Sequence, residues 1–120
     1  MRSRHLTLAM LSMCMTSCFV DATDENVIGT WVSTTDPRIE LVIDPNGTFK
    51  EEVGSLHAFG RWQIWTHMGD GSTFVEIVGL KHARSSADPN ERSGARVKRL
   101  PFATKLVVQA GQSTIEFRKQ

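Results

Sequence analysis

Cysteine is almost missing from this chain, and its placement matters more than its scarcity. The two present, Cys14 and Cys18, both lie within the first eighteen residues. Nothing downstream can form an internal disulfide, so a folded domain there rests on burial alone. Long apolar runs are missing too. Leu6 to Met15 is about ten residues, half of the roughly 20 that a membrane-spanning helix needs, and no later segment is long or apolar enough to span. Helical spacing of apolar residues is absent beyond residue 26. Charge of one sign does not dominate, with 14 Lys and Arg against 13 Asp and Glu, which argues against a general nucleic-acid role. No Gly-rich loop opens a helix, and no Gly-x-Ser-x-Gly frames a serine. Phosphate-cradling and serine-nucleophile chemistry therefore have no motif to stand on.

What is present begins with order at the N-terminus. Arg2, Arg4 and His5 form a charged start, Leu6 to Met15 the apolar run, and Met15-Thr16-Ser17-Cys18 its end. This is the layout of a bacterial export signal. Its ending resembles the lipobox of bacterial lipoproteins, in which an apolar and two small residues precede the Cys that receives lipid. The resemblance implies cleavage before Cys18 and lipid on Cys18. More than one acyl chain would make that attachment durable, where a single chain holds only marginally. Phe19, standing where Asp would imply inner-membrane retention, points to the outer membrane, facing the periplasm. The alternative is an ordinary signal cut after Ala22, leaving a free periplasmic or secreted protein. Cys14 follows bulky Met13 and is the poorer acceptor. Cleavage before Cys18 leaves 103 residues, the size of one domain. The expected organisation is a signal over 1–17, a lipidated N-terminus and polar linker over 18–26, and a domain over 27–120.

Beyond residue 26 the pattern alternates with period two, and turn signals recur about every 8–15 residues. Strands are predicted over 27–35, 38–43, 48–53, 57–66, 73–82, 95–100, 104–110 and 113–118. Asp44-Pro45-Asn46-Gly47 is the strongest turn: Pro presets the backbone and Gly supplies the positive φ that closes it. Ile39, Leu41 and Ile43 share one face; Phe49 and Val53 are expected inside. Trp62 and Ile64 share a face opposite Trp65, and Phe74, Val78 and Leu80 are placed inside together. Ala83 to Gly94 reads as a long polar loop. The fold class is all-β: a small antiparallel meander of seven or eight strands, closed into a barrel or curled sandwich, which removes exposed strand edges.

Gly29-Thr30-Trp31 on the first strand of this domain resembles the Gly-x-Trp motif of lipocalins and their barrel relatives. In that family the Trp plugs one barrel end beneath an Arg from the last strand. The resemblance implies that Arg118 lies over Trp31 in a cation–π contact. The shorter chain looks more like the small lipocalin-like domains of bacterial lipoproteins.

Candidate sites follow from these faces. A small apolar ligand inside the barrel would be lined by Trp31, Phe49, Trp62, Phe74 and Phe117. A partner would meet Trp65 and the basic stretch that holds Arg84, Arg92, Arg96, Lys98 and Arg99, suited to an anionic surface. His57, His67 and His82 sit at strand ends without ligand spacing, so no metal and no other cofactor is expected. The functional expectation is a membrane-tethered binding module for a small apolar ligand or an envelope protein. The alternative is an assembly lipoprotein docking onto a larger complex, and an enzyme is the weakest reading.

Overall fold

The computed structural model describes residues 19–80, 91–110 and 113–120. They form nine strands and one short helix: β1 (Phe19–Val20), α1 (Asp24–Val27), β2 (Gly29–Ser33), β3 (Ile39–Ile43), β4 (Thr48–Val53), β5 (Leu56–Thr66), β6 (Thr73–Val78), β7 (Arg92–Leu100), β8 (Ala103–Ala110) and β9 (Ser113–Lys119). From β2 to β9 each strand pairs antiparallel with the next, and β9 pairs back onto β2. The result is a closed eight-stranded barrel, with β1 added to β7 where β6 has ended. This is the expected architecture.

The turn at Asp44–Gly47 forms as its chemistry dictates. Gly47 has φ of 86°, Asp44 N donates to Thr48 O at 2.9 Å, and Ile43 faces Phe49 in register. Alternation then sorts the faces. Trp31, Leu41, Ile43, Phe49, Trp62, Val75, Ile77, Ala95, Val97, Leu106, Val108 and Phe117 point inward as one cluster. Each large apolar side chain contributes about 1.5–3 kcal/mol on burial. Trp31, Leu41, Val75, Ile77, Val97, Leu106 and Val108 are 0% exposed. A void wide enough for water beside any of them would leave part of its surface open, so the side chains around these positions fill the interior.

Three expectations are corrected. Residues 19–26 are more than a polar linker: Phe19 and Val20 pair with Lys98 and Val97, and Ala22 and Val27 are buried. Thr23 caps α1 in a reciprocal box with Asn26, at 3.2 and 2.8 Å. Second, Phe74 and Val78 lie on the outer side of β6, whereas Val75 and Ile77 fill the core. Period two puts Glu76 on the same face as Phe74 and Val78, and a carboxylate favours the solvent side. Phe74 is therefore not an interior lining residue. Third, the polar loop ends sooner than expected, because Arg92 to Gly94 already pair with Val78 to Glu76 as the start of β7.

Candidate functional site

Successive strands of such a barrel run in opposite directions, so its connections alternate between two ends. The turns 44–47, 67–72 and 101–102 share one end with α1 and the C-terminus. That end is plugged. The Trp31 indole donates from Nε1 to the Val27 carbonyl at 2.9 Å. Lys119 Nζ donates to the Glu25 and Asn26 carbonyls at 3.2 and 3.1 Å. Three carbonyls of the short helix thus find donors they would otherwise lack, with the cation at the negative end of the helix. Lys119 Nζ also lies 5.5 Å from the Trp31 ring centre. The burial that this costs lowers the Lys119 pKa from its ordinary value. Arg118, expected over Trp31, points outward opposite Val32. Phe117 and Lys119 are two apart, so they share the inner face and Arg118 cannot.

The outer face of β6, β7 and β8 carries a groove of about 410 Å³. Phe19, Phe74, Ala95, Arg96 and Val107 line it, with Gly94 in its floor. A Cβ at Gly94 would meet nothing within 4 Å, so a side chain there would start in open space. The Arg96 guanidinium stacks over Phe19 at 4.6 Å. Trp65 stands opposite Phe74 in the β5–β6 register and is 45% exposed. Sequence reasoning divided these outward aromatics, placing Phe74 inside and Trp65 outside with the basic residues.

The basic residues named from sequence are distributed rather than gathered. Arg92 lies 3.9 Å from Glu76, which also accepts from Gln63 at 3.1 Å; this pair borders a separate polar groove of about 220 Å³. Arg96 belongs to the aromatic groove. Lys98 pairs with Phe19 in β1, and Arg99 is exposed near the next turn. Arg84 and His82 lie outside the described residues, as do Cys14, Cys18 and the whole signal region. His57 approaches Glu52 at 3.4 Å and His67 approaches Asp70 at 3.3 Å, both on the surface. Among the described residues no three His, Cys, Asp or Glu side chains gather as a metal site would require. Among the described residues Glu51 is the one charged group buried inside, at 1% exposure. It lies between Phe49 and Val53 on a face already assigned inward, so period two did signal it.

Three surface carboxylates are held below their ordinary pKa. The Arg38 guanidinium bonds Asp36 at 3.0 Å, Lys50 bonds Glu52 at 2.9 Å, and the Ser72 hydroxyl bonds Asp70 at 2.7 Å. Each folded pKa lies below the unfolded one. The stabilisation is therefore present above about pH 4 and is lost as pH falls through the folded value. Urea midpoints are expected to drop between pH 5 and 3. In a combined Asp36→Asn, Glu52→Gln, Asp70→Asn variant the drop should be smaller, and an equal drop would refute the assignment. The effect is modest because all three are solvent-facing.

Compared with known protein families, with characterised proteins and with solved structures, the chain matches none.

Proposed function

We propose that this chain is a membrane-tethered, lipocalin-like binding module whose barrel is filled and whose outer groove recognises an envelope protein. The observation that carries the reading is the contrast between the two faces. The inner positions Trp31, Phe49 and Phe117 are at most 1% exposed, whereas the groove beside Phe74 and Gly94 is open and apolar. Trp31, Phe49, Trp62 and Phe117 are spent on packing, which takes the small-ligand version of the reading away from the interior. The lipocalin-like element is supported by Gly29-x-Trp31 at a plugged barrel end with a last-strand cation over the ring, Lys119 in place of Arg. The tether is supported by Met15-Thr16-Ser17-Cys18 directly before β1.

The occupant of the groove is an apolar segment of a partner protein with a carboxylate beside it. Among the described residues no acidic side chain lines the groove, and Arg96 is the cation that does. Gly94→Phe tests this. The ring would enter open space without backbone strain, fill the groove and leave the fold intact. Cross-linking in the protein's own envelope should recover a partner with the parent chain and with Arg61→Ser, and lose it at least tenfold with Gly94→Phe. Equal recovery with Gly94→Phe would sink the proposal. Labelling with a fatty-acid probe, comparing parent with Cys18→Ala, tests the tether separately: equal labelling refutes lipidation at Cys18.

A further inference from the structure

Arg118 points out from β9, away from the plug, and the ladders set other cations beside it. It stands opposite Lys105 on β8, and Lys105 stands opposite Lys98 on β7. Their chain neighbours Val97, Leu106 and Phe117 face inward and are at most 1% exposed, so alternation turns all three cations outward. Three adjacent strands thus carry a row of positive charge, with about 5 Å between neighbouring strands. Like charges directly across a sheet work against its stability. One carboxylate offsets the row, where Glu116 holds the Lys105 ammonium at 2.7 Å. The next acid along it, Glu40, lies two strands from Arg118, beyond Val32. Lys98 and Arg118 pair with no carboxylate among the described residues.

Beside this row the outer wall is hollow. A space of about 400 Å³ is lined by the hairpin tip from Leu100 to Ala103, by Thr34, and by Lys105 and Arg118. That is within the roughly 300–1,000 Å³ of small-molecule sites. Leu100 faces Ala103 across the base of the hairpin, and Ala103 offers only a methyl group where Lys105 offers a long side chain. Phe102, at the tip, is 95% exposed. Among the described residues no carboxylate lines the hollow. The Thr34 hydroxyl donates to the Glu116 carbonyl at 3.2 Å. The side-chain donors left for an occupant are therefore the Arg118 guanidinium and the part of the Lys105 ammonium that Glu116 does not use. A neutral apolar occupant would strip water from these cations and give nothing in return. A bare inorganic anion would leave Phe102 and Leu100 in water. An occupant that satisfies both halves has an apolar body and an anionic head.

We propose that the hollow between Phe102 and Arg118 is a binding site for a small organic anion with an aromatic or branched apolar body. Its carboxylate or phosphate head meets Arg118 and Lys105, while Lys98 adds positive potential from the next strand. The site shares no lining residue with the groove beside Phe74 and Gly94, and it stands whether or not that groove takes a protein partner.

The test titrates the full chain with 2-naphthoate, 2-naphthyl phosphate and the neutral 2-naphthalenemethanol, followed through amide chemical shifts. The amides of Ala103, Lys105 and Arg118 should move most, and at least one anion should bind five times tighter than the alcohol. The tighter of the two anions tells a carboxylate site from a phosphate site. Arg118→Gln should bring the anions to about the affinity of the alcohol and leave the alcohol unchanged. Phe102→Ser should weaken all three at least threefold and keep the preference for the anion. Arg61→Gln removes the same charge from β5 and should change nothing. Because Arg118 is crowded by Lys105, the urea midpoint of Arg118→Gln should equal or exceed the parent's. A lower midpoint would give Arg118 a structural role and overturn the proposal. So would equal binding of alcohol and anions, an anion preference that survives Arg118→Gln, or equal loss in Arg61→Gln. Largest shifts at Gly94 and Arg96 would place the anion in the other groove and overturn it too.

Discussion

Gly60→Ala will sharply destabilise the barrel. Gly60 sits in the middle of β5 with Phe49 directly across from it. A Cβ at Gly60 would overlap the Val78 carbonyl oxygen and the edge of the Phe49 ring. The ring can turn, but the carbonyl is backbone of β6, held by the pairing of Arg61 with Val78. Relief requires parting two strands where a glycine lets them approach. The cost is about 3 kcal/mol or more, a large share of the 5–15 kcal/mol typical of a domain. Urea denaturation should show a much lower midpoint than the parent's, with the slope unchanged. Adding Phe49→Leu should recover only part of the loss, because the carbonyl remains. Gly94→Ala is the matched control, another strand glycine but with open space around it, and should change stability by less than about 0.5 kcal/mol. Parent-like stability in Gly60→Ala would mean that the strands are further apart than described.

The second large effect is at Trp31, and its size should depend on which part of the side chain is removed. Trp31→Ala deletes a fully buried ring and is expected to cost about 3–5 kcal/mol. Trp31→Phe keeps most of the bulk but removes the indole donor, leaving the Val27 carbonyl without its 2.9 Å partner. That costs about 1–3 kcal/mol. Lys119→Met retains a long apolar stem and deletes the donor to Glu25 and Asn26. Hydrogen exchange should then separate the two roles. In Lys119→Met the amides of Val27 and Ile28, which bond within α1, should exchange faster while those of β5 and β6 stay protected. Uniform acceleration across the barrel would mean that the plug and the wall open as one unit.

Much of the fold was legible because period two and turn chemistry agree over most of the chain. Asp44–Gly47 defined a hairpin from both its residues and its flanking strands. The misreadings share a physical origin. In Phe74-Val75-Glu76-Ile77-Val78 both faces are apolar except at Glu76, and only that carboxylate marks the solvent side. At the end of β9 the residue over Trp31 had to share Phe117's face, which selects Lys119 and not Arg118. At 19–27 the apolar residues Phe19, Val20, Ala22 and Val27 are few and follow no helical or strand period. Their order comes from long-range contacts, such as the Ala22 amide on the Thr73 hydroxyl at 2.6 Å, which no local pattern announces. The outer groove was illegible for a similar reason, since Phe19, Phe74, Gly94 and Val107 come from four separate strands.

The seam between β2 and β9 joins the first wall strand to the last. A chain emerging from a ribosome therefore has no finished cylinder to adopt until Arg118 and Lys119 are out. Until then two ladders stand open, and the ring-closing contacts are among the most distant in sequence, which slows their formation. Loss of β9, by a premature stop or a protease, would leave the edges of β2 and β8 bare and expose the molecule to sticking to its own kind. The newborn polypeptide thus keeps two open edges until β9 has joined both β2 and β8.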